Sequence, residues 1–232
     1  MIQNIFRIED NNLDIPFYNN NPHISKGAWI ILLLSVFISF ISYILISSYS
    51  EILGSIIFCG IMLIPLLYFT DWNYNLLFHK LTKNEIKLAF LMFIGYIIYA
   101  LIMGNILDLF GIVSSSEELA AVITWETIAA LVFSMMGEEL LKFIPLMFLM
   151  RFFYKFSEKR DVSLLFSSVL VLATFGLLHY TFDGSILSPL LLQGLGSVFE
   201  LYGYLKTKNL FVPYLSHLFT DAFIMIIILL GI

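Results

Sequence analysis

The sequence predicts an all-α fold, a polytopic membrane bundle of about seven transmembrane helices, and three observations predict it. Of 232 residues, 60% are hydrophobic and 12% charged, with a mean hydropathy of +0.93. A soluble domain is about 45–50% apolar and about 25% charged. Apolar runs recur over 28–49, 52–70, 87–107, 127–150, 163–182, 187–205 and 210–232, each near the ~17–25 residues that cross a bilayer. Lys and Arg collect in alternate loops between those runs. Spans and short loops use up the chain, which excludes a separate nucleotide-binding module and a nucleic-acid partner.

Residues 1–27 are polar and Asn-rich and lack the apolar core and cleavage site of a signal peptide. They predict a cytoplasmic segment ahead of a single transmembrane domain, 28–232. Arg7 and Lys26 precede the first span, and Lys80, Lys83 and Lys87 flank the second loop. Arg151, Lys155, Lys159 and Arg160 fill the fourth loop, and Lys206 and Lys208 the sixth. The intervening loops carry acids instead: Glu51, then Asp108, Glu117, Glu118 and Glu126, then Asp183. The positive-inside rule then puts the amino terminus in the cytoplasm of a multi-pass cell-membrane protein. In the third loop, Ser115 and Glu118 have capping-box spacing, which predicts a short helix ending near Thr124 and a break before the fourth span. One cysteine, Cys59, cannot form an internal disulfide.

Ionisable groups interrupt the later spans. Glu138, Glu139 and Lys142 lie in the fourth, His179 in the fifth, Glu200 in the sixth, and His217 and Asp221 in the seventh. Each central charge costs roughly 2.5–3.5 kcal/mol to insert, so these groups need a reason to be there. Glu138 and Lys142 are spaced to pair on one helix face, as are His217 and Asp221, and Glu139 points elsewhere. Two imidazoles and several carboxylates make an inventory for activating water, a carboxylate taking the proton and imidazole holding the oxyanion. Glu200, near the inner end of its span and within reach of water or Lys206, reads as structural. Gly194, Gly196 and Ser197 read as sites of close helix packing. Counted from the basic flanks, Glu138 is about 13 residues deep, His179 about 16–19 and His217 about 7–9. At ~1.5 Å per residue this spreads the groups over roughly 10–15 Å of depth.

Three motifs occur in order: Gly137-Glu138-Glu139-Leu140-Leu141-Lys142, Phe175-Gly176-Leu177-Leu178-His179 and His217-Leu218-Phe219-Thr220-Asp221. Together they resemble the CPBP family of CAAX-type prenyl endopeptidases and bacteriocin-processing enzymes, also called Abi, whose pattern is Glu-Glu-x-x-x-Arg, Phe-x-x-x-His and His-x-x-x-Asn/Asp. The approach Tyr204 to Pro213 is similar to that family's turn into its last helix, and the likeness covers about 130–225. It implies a CAAX-protease-like core in the C-terminal half, at 125–225, acting as a glutamate-dependent intramembrane endopeptidase. Glu138 and His179 would activate water, His217 and Asp221 would stabilise the oxyanion, and Glu139 would orient the site, with Lys142 and Phe175 in support.

The arginine position is Phe143, and the nearby cation, Lys142, stands one residue early. That shift predicts a charge moved from the Glu139 face to the Glu138 face. The Glu-Glu-x-x-Lys form is also similar to PrsW-type site-1 proteases, which have a Glu where Phe175 here leads to a His. The expected cofactor is none, with zinc on Glu138, His179 and His217 as the alternative. The expected partners are the bilayer and a membrane peptide or protein substrate. Short peptides such as pheromones or bacteriocins fit better than prenylated proteins, because the Ile-, Asn- and Phe-rich composition hints at a bacterial chain. Two other functions stand beside protease: an inactive scaffold of the same fold that binds and regulates a membrane protein partner, and a transporter or proton relay. The last lacks the paired Gly/Pro-interrupted spans of repeat transporters.

Overall fold

The computed structural model describes residues 14–112, 123–180 and 185–231, and among these all regular secondary structure is helical. The helices are α1 (Lys26–Ser47), α2 (Glu51–Phe69), α3 (Lys83–Leu109), α4 (Trp125–Ser157), α5 (Arg160–Leu178), α6 (Leu187–Pro189), α7 (Val198–Thr207) and α8 (Phe211–Leu230). Local chemistry sets their starts. Ser25 and Ser50 accept the backbone N–H of Ala28 and Leu53 at 3.1 and 3.3 Å, supplying the side-chain oxygen that orphan helix donors need. Capping boxes open α3 (Thr82 with Glu85) and α4 (Thr124 with Thr127). The expected break before the fourth span lies at Thr124, while the Ser115–Glu118 capping box falls outside the described residues.

Five helices, α1, α2, α3, α5 and α8, are long and apolar enough to cross a membrane. The fourth span is a 33-residue helix whose apolar character is broken in the middle by Glu138, Glu139 and Lys142. The sixth departs from the continuous helix expected at 187–205. It starts as α6, widens into a π-helical segment, Leu190–Leu195, bends at Ser197, and resumes as α7. Close packing explains the irregularity. A Cβ on Gly176 of α5 would lie 2.7 Å from the carbonyl oxygen of Pro189 and 3.0 Å from the Cα of Gly194. The expectation that glycines here allow close approach is met, and the backbone widens where α5 presses against it.

Helix α4 is the axis of the bundle. It packs against α2, α5 and α8, with α1 reaching it partly through α2, whereas α3 packs on α7 and α8 at the far side. All helix ends that carry basic residues gather at one end. There the segment before α1 is not merely a polar leader: Ile15, Phe17, Tyr18 and Ile24 are buried. The Phe17 ring meets Trp29 and Phe143 edge-on, Arg160 pairs with Asp14 at 3.0 Å, and Arg151 donates to Asn20. The polar average of residues 1–27 hid this apolar cluster.

Candidate active site

The site begins on α4. Gly137 leaves room for the Phe58 ring of α2, which stands 2.3 Å from where a Cβ would be, so α2 lies tight against the turn that presents Glu138 and Glu139. Glu139 is 4% exposed. Its carboxylate meets Lys142 Nζ at 2.7 Å and accepts from His217 Nδ1 at 2.8 Å. The predicted Glu138–Lys142 pair is therefore not the one formed. Positions three apart are neighbours as fully as positions four apart, and helical side chains lean toward the amino terminus, so Lys142 reaches back to the buried Glu139. Its ammonium also lies over the Phe175 ring, 4.5 Å from the centroid, where the ring quadrupole attracts a cation.

Glu138 faces the two imidazoles instead. Its Oε2 is 4.0 Å from His179 Nε2 and 3.7 Å from His217 Nε2, and Asp221 Oδ2 is 3.8 Å from the same His217 nitrogen. Gaps of this size are too long for direct hydrogen bonds and suit an intervening water. The tautomers follow from the other ring atoms. His179 Nδ1 lies 2.9 Å from the carbonyl of Phe175; a carbonyl only accepts, so Nδ1 carries the hydrogen and neutral Nε2 presents a lone pair. His217 gives its Nδ1–H to Glu139, so its Nε2 bears a proton only as imidazolium. Phe175, buried at 3% exposure, packs edge-on against both imidazoles.

Glu138, His179, His217, Asp221 and Phe175 thus line one cavity, and Glu139 and Lys142 lie behind them, joined to His217 and to the Phe175 ring. The depth spread expected from counting does not occur, for two reasons. Helix α4 runs past Arg151 to Ser157 while α5 starts at Arg160, which sets Glu138 and His179 equally far from the turn between them. The α7–α8 turn is sunk into the protein, with Lys208, Asn209 and Leu210 buried. Leu210 N–H donates to Leu77 at 2.9 Å, and Asn209 Nδ2 donates to the His79 carbonyl at 3.0 Å. Sinking the turn carries His217 down to the level of Glu138. Among the described residues, no trio of His, Cys, Asp or Glu is arranged to hold a metal ion.

Residues 120–223 match the family model described as type II CAAX prenyl endopeptidase Rce1-like. This match agrees with the likeness to the CPBP family of CAAX-type endopeptidases. No curated protein and no solved structure matches the chain. The matched segment spans α4 to the middle of α8 and so contains every one of the clustered groups, while α1, α2 and α3 wrap it. At the family level, the match supports a multi-pass membrane endopeptidase.

The matched segment also holds a residue that sequence reasoning misplaced. Glu200 is 2% exposed and forms no ion pair with Lys206. It lines the cavity of about 330 Å³ that contains Glu138, His179, His217 and Asp221. It also lines a small void of about 30 Å³ beside Glu139 and Lys142. Its charge inside a span was the signal, and distance from the span's end was the wrong ruler for a broken helix.

Proposed function

We propose that the chain is a glutamate-type intramembrane endopeptidase that cleaves membrane-associated peptides or proteins. The observation that carries this reading is the position of Glu138 Oε2, 4.0 Å from His179 Nε2 and 3.7 Å from His217 Nε2. Water in that gap donates one hydrogen to the His179 lone pair and the other to Glu138. As Glu138 takes its proton, the water oxygen bonds to the scissile carbonyl carbon. His217, as imidazolium, donates Nε2–H to the oxyanion. Its charge is held by Glu139 and Asp221, and Glu139 also fixes the ring. The C–N bond then breaks and Glu138 returns the proton to the departing nitrogen. Asp221 needs no proton of its own in this scheme, because His217 is the donor.

The basic ends of the helices support a cytoplasmic amino terminus. The inactive-scaffold alternative drew on the missing arginine and on the spread in depth; Lys142 at 2.7 Å from Glu139 and Glu138 at 4.0 Å from His179 favour the enzyme over it. The test is Glu138→Gln in purified protein with a membrane-peptide substrate. A positioned acid–base group contributes about 10²–10⁴-fold, so cleavage should fall by that factor while the protein stays folded. Unchanged cleavage would refute the assignment. A chelator in the same assay examines the zinc alternative on Glu138, His179 and His217.

A further inference from the structure

The cavity that holds the catalytic cluster reaches the end of the bundle where α2 and α4 begin. Glu51 and Thr127, in the first turns of α2 and α4, line its outer part. The Oγ of Ser50 donates to Glu126 at 3.0 Å across that mouth. This is the end that carries acidic loops; Arg151, Lys83 and Lys206 stand at the other, where Ile15, Phe17 and Tyr18 are packed into the bundle.

Inside, the walls hold more acid than base. Glu51, Glu138, Glu200 and Asp221 line the cavity with two histidines; the buried cation nearby, Lys142, pairs with Glu139 at 2.7 Å and shares a small void with Glu200, so one ammonium stands beside two carboxylates. Among the described residues, two carboxylate oxygens are buried without a hydrogen-bond partner, Oε2 of Glu51 and Oε2 of Glu200. The second belongs to a side chain only 2% exposed. A buried acceptor left unmade costs about 1–3 kcal/mol, and more when charged. The proposed cleavage uses neither Glu51 nor Glu200.

Resting on the endopeptidase reading, we infer that the substrate enters from the acidic end and that Glu51 and Glu200 receive a lysine or arginine side chain of it. The substrate class is then a basic peptide segment presented at the face opposite the amino terminus. Glu51 meets the cation at the mouth. Glu200 accepts it at the bottom, past Glu138, so that the peptide backbone lies across the site.

The test uses full-length protein carrying Glu138→Gln, so that binding is read without cleavage, and two fluorescent peptides differing only by lysine or norleucine at one position. The lysine peptide should bind about tenfold tighter, a ratio equal to about 1.4 kcal/mol. Adding Glu200→Gln or Glu51→Gln should shrink that ratio severalfold. Equal binding of the two peptides overturns the proposal, as does a ratio that neither substitution changes. If Glu200→Gln does not fold, Glu51→Gln alone decides. For the face of entry, Thr127→Cys in a Cys59→Ser background should react with an impermeant maleimide on the side opposite Lys83→Cys, and the lysine peptide should protect it; labelling from the side of Lys83→Cys overturns entry at that face. Full cleavage by the Glu138→Gln protein would defeat the catalytic reading and leave the binding ratio as an independent result.

Discussion

Helices α3 and α4 are the two longest in the protein and use their length in opposite ways. In α3, only 11% of the most apolar 18-residue stretch is buried; Ile94, Ile98, Leu101, Ile102 and Ile106 face outward. In α4, Glu139 and Lys142 are buried together with Leu140, Ile144 and Met147. Lipid tails are as apolar as leucine, so burying an apolar side chain against another helix gains little from the hydrophobic effect. A charged group has no such indifference, since lipid offers it no partner. In this bundle, polarity rather than apolarity tells which helix is central.

The comparison breaks most sharply at Lys142. Lys142→Met leaves Glu139 buried against His217 without its cation, and losing one partner of a buried pair costs about 3–5 kcal/mol. Thermal unfolding in detergent should show a larger loss than for Gly137→Val or Asn209→Ala, and Glu139→Gln in the same chain should recover part of it. Full stability of Lys142→Met would show that α4 is not organised by this pair.

Packing at the axis comes next. Gly137→Val drives a side chain into the Phe58 ring, and overpacking of this kind costs about 1–3 kcal/mol. Phe58→Ala should relieve it in the double variant, which distinguishes a clash from a loss of helix propensity.

A polar contact of α3 lies at its start, where Glu85 caps the helix and accepts from Asn209 Nδ2 at 3.5 Å. Asn209→Ala removes that link and the donor to His79, at a cost of about 1 kcal/mol for each net hydrogen bond. If the sunken turn sets the depth of His217, cleavage should fall by more than stability does. A parallel loss of both would assign Asn209 to stability alone.

The smallest effect belongs to the lipid face. Ile102→Ala on α3 should change stability by no more than about 0.5 kcal/mol, measured by the same unfolding assay. A loss of several kcal/mol would mean that this face is covered by another protein chain.

Much of this was legible in the chain. A hydrophobic run long enough to span, a capping residue before it and alternating loop charge are local quantities. Five of the spans therefore appear within a few residues of their expected limits, and the three motifs mark the groups that meet. Where sequence reasoning failed, the deciding contact was not local. Helical spacing allowed Lys142 to reach either glutamate, and His217, from a helix seventy-odd residues away, made Glu139 the buried one. The depth of His217 depended on a turn held down by Leu77 and His79.

The sequence by itself determined that this is a membrane bundle, which ends of its helices share a face, and which ionisable groups must find company inside it. Only the tertiary structure decided the pairing: Lys142 with Glu139, Glu138 with the two histidines, and Glu200 in the cavity rather than at the membrane surface. The reason is physical. Crossing a bilayer is a property of one segment at a time, whereas the cost of a buried charge is settled by whatever neighbouring helices bring within about 4 Å of it.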